Sequence, residues 1–250
     1  MSLDKKNHYS YTVYADRDLA ENFHASRFGG PIGEFLAKSQ EKVLLEFLGS
    51  VENKEIIDVG VGTGRAAIAL TVRGAQVVGV DASAEMLKVA MGRASDAGVD
   101  LDLRIGDAHA LAFEDQSFEA AVSLRVLLHT PDWRQCLGEL CRVSRAKVVF
   151  DYPALSSIAT LQVLWRQCIF WLGLRTEPYR AFSDRTMVKE LQSHGFIISA
   201  LHRQFVLPIA LHKWIGSRRL TEWTEACLAR LGLLRILGSP VTVMAIRCES

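Results

Sequence analysis

Net charge is almost absent from this chain: 29 Lys and Arg residues nearly cancel 28 Asp and Glu, leaving a formal charge of +1. It lacks the whole-molecule basic field that draws a protein onto nucleic acid, so no nucleic-acid partner is expected. Cysteine is scarce, and Cys136, Cys141, Cys168, Cys227 and Cys248 form an odd set without C-x-x-C spacing. That speaks against a disulfide framework or a thiolate metal site, and it fits a reducing cytoplasm. No metal is expected. The stretch from Met1 to Tyr14 has no apolar run behind a basic start, so no secretory signal is expected either. Repeats and low-complexity segments are missing. The most apolar stretch, around Leu161, Trp165, Phe170 and Trp171, is broken by Ser156, Ser157, Thr160, Gln162, Arg166 and Gln167. So many polar groups argue for a helix packed on the protein rather than one crossing a bilayer.

What is present is a chain of 250 residues, 49% hydrophobic, enough for one α/β domain with a sizeable core. Pro31–Leu48 reads as a helix. Strand signals at Glu55–Gly60, Gln76–Asp81, Leu101–Gly106, Phe118–Leu124 and Lys147–Asp151 then alternate with helical patterns at Arg65–Arg73, Ala84–Ala97 and Asp132–Val143. Alternation of this kind predicts βαβ units and a parallel sheet covered on both faces. Phe196–Leu207 and Val241–Arg247 read as two further strands. The expected fold is therefore α/β, a Rossmann-like, seven-stranded, mostly parallel sheet with helices on both faces. A single domain over 1–250 is expected, with an N-terminal cap at 1–50 and helical insertions at 154–180, after strand five, and 208–239, between the last two strands.

The strongest motif is Asp58-Val59-Gly60-Val61-Gly62-Thr63-Gly64-Arg65. A buried strand enters a turn with three alternating glycines, and a helix follows. Glycine lets the backbone turn sharply and lie against a ligand, and the helix start offers free amide donors to an anionic group. A dinucleotide loop would read G-x-G-x-x-G, but here the third glycine comes one residue early. Asp81 closes the second strand at about the distance expected for a ribose-binding acid. Its alternative role is a helix N-cap, for which Ser83 is better placed. Gly106-Asp107-Ala108 follows the third strand, and by itself it reads as a surface turn; only its order after the first two motifs raises it. A glycine turn without a ligand remains the alternative for the first motif.

Taken in order, D-x-G-x-G-x-G, Asp81 and Asp107 resemble the motifs of class I S-adenosylmethionine-dependent methyltransferases. The resemblance is closest to the small-molecule branch that includes the ubiquinone and menaquinone methyltransferases, and it is good from Lys54 to Asp151. It implies S-adenosyl-L-methionine as cofactor. The implied contacts are Asp58, Gly60, Gly62, Thr63 and Gly64 in the first motif; Asp81, Ala82 and Met86 toward the ribose; Asp107 and Ala108 at the adenine; and Leu124 and Arg125 along the methionine part. Where that branch often has a second acid at the start of strand four, this chain has Phe118-Glu119. An N-terminal aromatic segment with Tyr9, Tyr11 and Tyr14 is expected over the cofactor. Arg27 either pairs with the methionine carboxylate, which suits a planar guanidinium, or stays solvated beside the first helix.

The implied reaction is in-line methyl transfer to a small acceptor, hydrophobic or lipid-linked, driven mainly by positioning. A non-catalytic sensor or accessory protein that binds the same cofactor is the competing reading. His129 follows strand four and Asp151 ends strand five, at the edge where open α/β sheets bind ligands, which makes them the candidate bases. His129 also reads as a loop histidine beside the next helix. The second insertion carries Lys213, Arg218, Arg219, Arg230 and Arg235 among tryptophans and leucines. It reads either as a helical lid packed on its own core or as a peripheral membrane contact. A cytoplasmic location, with or without membrane association, is expected, and the oligomeric state is left open.

Overall fold

The computed structural model describes residues 29–157, 160 and 180–248. Tyr9, Tyr11, Tyr14, Arg27 and most of the 154–180 insertion lie outside these described residues.

Local patterning accounts for the elements. Helix α1, Gly30–Leu48, begins at a proline and buries Ile32, Leu36, Val43, Leu44 and Leu48 along one face. Strand β1, Glu55–Val59, leads through the glycine loop into α2, Arg65–Thr71, which buries Ala66, Ala67 and Leu70. Next come β2, Gln76–Asp81; α3, Ala84–Asp96; β3, Asp102–Ile105; β4, Phe118–Ser123; α4, Trp133–Val143; and β5, Ser144–Tyr152. After the 154–180 region come α5, Asp184–Ser193, and β6, Phe196–Phe205. Three short helices separate β6 from β7, Ser239–Arg247: α6, Ile209–Ile215; α7, Arg218–Arg230; and α8, Leu233–Leu237.

The sheet has seven strands in the order β3-β2-β1-β4-β5-β7-β6. Neighbours from β3 to β5 pair in parallel, and β7 runs antiparallel to both β5 and β6. The expected Rossmann-like, mostly parallel sheet is thus present, with one reversed strand. Adjacent residues of the central strands serve opposite layers: Ile57 packs with Leu137 and Leu140 of α4, while Ile56 packs with Leu44 of α1 and Leu70 of α2. Burial on both faces explains why these strands read as continuous apolar runs.

The order reverses direction between β1 and β4, leaving a crevice outside the carboxyl ends of β1, β2 and β4. Because β6 runs parallel to β1, its end at Phe205, and with it the start of the α6–α8 insertion, lies at this same edge. Helix α5 had no counterpart in the sequence reading. It buries only Met187 and Leu191, too few apolar positions for a clear helical stripe.

Candidate functional site

At that crevice lies a cavity of about 180 Å³. The loop after β1 forms its floor. Gly60, Gly62 and Gly64 have φ values of +73°, +54° and +80°, a region that L side chains rarely adopt. A Cβ on Gly60 would lie 2.2 Å from Val126 Cγ2, so the loop approaches the strand-four loop closely at that point. Gly64 caps α2 and does not line the cavity; it lets α2 pack on Ala90 of α3. A bare-backbone cradle of this kind, open on one side, fits the amino-acid end of a nucleoside cofactor.

The strand ends supply the polar groups. Asp81 Oδ2 accepts from Gly62 N–H at 2.8 Å and Oδ1 accepts from Ser83 N–H at 2.9 Å. Burial pushes this carboxyl up from its usual value, and the backbone donors Ser83, Gly62 and Ala82 oppose the shift. Ser83 caps α3, its Oγ accepting from Met86 N–H at 3.1 Å, so the capping role falls to Ser83 and Asp81 is held at the cavity wall. Ala82 and Met86 line the same wall.

Asp58 is buried, and burial pushes its carboxyl up to about 7 despite the opposing charge of Arg65. Arg65 donates to Ala37 O at 3.2 Å and Gln40 Oε1 at 2.8 Å, joining the loop to α1. Burial lowers its pKa, with repulsion from Arg125 added and Asp151 and Asp58 opposing. Thr63 lines the cavity, but its carbonyl and hydroxyl oxygens accept from Arg93 Nη1 at 2.8 and 3.0 Å.

Arg125 lies in the loop after β4 with φ +63°, an uncommon conformation for a residue with a Cβ. Its backbone N–H donates to Asp151 Oδ1, and Leu124, Arg125 and Val126 all line the cavity. Asp151 itself is buried beneath the loop and is not among the lining residues. Burial pushes its carboxyl up, and the charge and backbone N–H of Arg125 oppose the shift. His129, the other candidate base, does line the cavity beside Thr130 and Pro131.

At the third strand's end Gly106 and Ala108 line the cavity, whereas Asp107 turns to His109. Asp107 Oδ1 accepts from His109 N–H at 2.9 Å and lies 2.6 Å from His109 Nδ1. Asp132 N–H meets His109 Nε2 at 3.4 Å, which assigns the ring proton to Nδ1, donating to Asp107. His109 is a cavity-lining residue that sequence reasoning missed, since one histidine in a turn carries no periodic or spacing signal. Among the described residues no group of three metal-ligating side chains could hold an ion.

Several known proteins resemble this chain in sequence or fold. The family model described as "Methyltransferase domain" matches residues 57–150. A ubiquinone biosynthesis O-methyltransferase of Bartonella tribocorum is 29% identical over 206 residues, 70% of this chain and 81% of that protein. Against uncharacterized mycobacterial relatives, 28% identical over 141 residues, the chain spans about half (51%) of their length. Among solved structures, magnesium protoporphyrin IX methyltransferase from Synechocystis PCC 6803 with bound SAH shares the fold. It has a TM-score of 0.66 and 17% identity, covering 94% of this chain and 99% of that one. The cyclase SpnF shares it as well, with a TM-score of 0.59 and 17% identity, covering 85% of this chain and 81% of that one. With the glycine cradle after β1 and the matched region running from β1 to β5, residues 57–150 carry a methyltransferase domain, on the fold shared with methyltransferases crystallised with SAM or SAH.

Proposed function

We propose that this chain transfers a methyl group from S-adenosylmethionine to a small, apolar acceptor. The observation that carries the reading is the glycine loop after β1, held in left-handed conformations with Gly62 N–H bonded to Asp81, on the floor of the cavity. S-adenosylmethionine, when bound, supplies an activated methyl group on a sulfonium.

The residues then have separable tasks. Gly60 and Gly62 bring bare backbone to the ligand. Asp58 and Arg125 offer opposite charges to the ammonium and carboxylate of the methionine end, with Arg27 a further carboxylate partner. Asp81 accepts from the ribose hydroxyls through lone pairs that its two backbone bonds leave over. Ala108 backbone meets the adenine, with Asp107 steadied by His109. Met86, Leu124, Val126 and Pro131 exclude water. His129 removes a proton where the acceptor is a hydroxyl or an acidic carbon. Asp151 acts beneath the surface as a positioning residue for Arg125. The apolar wall, together with relatives named for ubiquinone biosynthesis, favours an apolar acceptor. The 1–250 stretch is proposed to work as one domain, with the 208–239 insertion shaping the acceptor side.

Two measurements test this. Calorimetry should show S-adenosylhomocysteine (SAH) binding, and radiolabelled S-adenosylmethionine should pass its methyl to a member of a panel of phenols, quinols and apolar amines. In the second, His129→Gln should lower turnover of a hydroxyl acceptor by roughly 10²–10⁴-fold, leaving SAH affinity unchanged. SAH binding without transfer to any acceptor would instead support a cofactor-binding sensor or accessory protein. Absence of binding by a folded chain would end the proposal.

A further inference from the structure

Helix α7 is inside out. Its inner face buries Thr221 and Glu225, which are four residues apart. Trp223 projects roughly opposite this buried pair, with Leu220 beside it and the exposed Leu231 just past the helix end. Trp223 is 65% exposed and Leu231 74%. Neighbouring helices extend the surface: Trp214 of α6 is 84% exposed and Ile236 of α8 is 62% exposed. A helix serving only its own core would do the reverse.

The inversion has a local cause. Glu225 accepts from Val206 N–H at 2.8 Å and Leu207 N–H at 3.0 Å, and lies 2.8 Å from His212 Nε2. Thr221 Oγ1 lies 3.1 Å from His212 Nδ1. This buried network ties α6 and α7 to the end of β6 and turns the apolar side of α7 outward. Two large aromatic groups and several aliphatic ones are thereby held toward solvent by polar interactions.

We infer that the outward face of α6–α8 is a docking surface for an anionic lipid bilayer. Charge selects this occupant. Lys213, Arg218, Arg219, Arg230 and Arg235 are all exposed in the insertion. Of its two acids, Glu225 is buried and Glu222 is bonded to Arg218 at 2.8 Å. Tryptophan rings suit the headgroup level, and arginine stems lie along apolar surface with their charges toward phosphate. A second copy of the chain is disfavoured, because a two-fold interface would set this cationic face against itself. Among the described residues no helix is long and apolar enough to cross a membrane, so the contact is peripheral. The surface begins at the sheet edge that carries the cavity, which would bring an apolar acceptor dissolved in the bilayer to the same end of the molecule. The inference stands apart from the methyl-transfer reading.

The test uses the full chain with vesicles of phosphatidylcholine alone and vesicles containing phosphatidylglycerol. Co-sedimentation is expected only with the anionic vesicles, weakening with salt. Replacing both tryptophans (W214S with W223S) should weaken binding by at least tenfold, roughly, from the apolar area lost. Arg219→Gln or Arg230→Gln should each cost about fivefold. In the unmodified chain, brominated lipid should quench tryptophan fluorescence, a readout that needs no variant. Retained far-UV circular dichroism and SAH affinity would separate loss of the surface from loss of the fold. No binding to anionic vesicles, equal binding to neutral ones, or tryptophan-dependent self-association without vesicle binding would overturn the inference.

Discussion

Asp58 stands two residues before Gly60 at the end of a buried strand, where its carboxyl is pushed up to about 7 by desolvation. Two consequences follow from the sign of that shift. The folded chain holds the Asp58 proton more tightly than the unfolded chain, whose carboxyl titrates near 3.8, so this residue's contribution to stability declines as pH rises from about 4 to about 7. The ligand ammonium needs the ionised form, so SAH affinity should rise between pH 6 and 8 and binding near pH 6.5 should release a proton. Calorimetry in buffers of different ionisation enthalpy measures both, and Asp58→Asn should flatten the profile. The Asp151–Arg125 bond gives a second prediction at this scale. Asp151→Ala frees the Arg125 backbone from its partner and should weaken SAH binding far more than binding of 5′-methylthioadenosine, which lacks the amino-acid end. Equal weakening of the two ligands would indicate general loosening rather than positioning of Arg125. The cavity glycines and Asp58 were legible because they lie on short spacings, and Asp81 because it closes the next strand at the distance expected from a glycine loop to a ribose-binding acid. The link between Asp107 and His109 spans only two residues, but its purpose is seen only when Asp132 arrives from α4.

At the scale of elements, helix starts and strand ends came through well in sequence because their signals are local. Ser83 is the clearest case: a serine ahead of an apolar-periodic run, with its hydroxyl on Met86 N–H. Ser83→Ala should cost about 1 kcal/mol, or roughly 2–4 °C in Tm, measured by thermal melting. Arg65 belongs to a different class. In sequence it only displaced the third glycine of a dinucleotide loop, whereas in the fold its guanidinium fastens α1 to the cofactor loop through Ala37 and Gln40. Removing one partner of a buried charge set leaves the others uncompensated, so Arg65→Ala should cost about 3–5 kcal/mol and reduce SAH affinity together with stability. Helix α5 escaped notice because it buries only Met187 and Leu191, packing on the edge strand β6 and against α4.

For the whole molecule, the sheet order places every proposed cofactor contact among the described residues at one edge, contributed by the loops after β1, β2, β3 and β4. A ligand bound across so many strand ends should stabilise the native state as a unit. SAH at about 100 times its Kd should add about 2.7 kcal/mol, seen as a rise of roughly 5–10 °C in Tm, and no shift would count against the cavity as its site. The sequence by itself determined the α/β alternation, the glycine cradle and the acids that end the strands, because backbone conformation and burial on both faces are written in neighbouring residues. Only the tertiary structure decided that Asp151 supports Arg125 from below, that Arg65 holds α1, and that α7 turns its tryptophan outward. Those outcomes depend on partners 26 and 25 residues away for the first two and on Val206 and Leu207, 18 to 19 residues from Glu225, for the third. Over such separations composition and periodicity are silent, and packing geometry settles which groups meet.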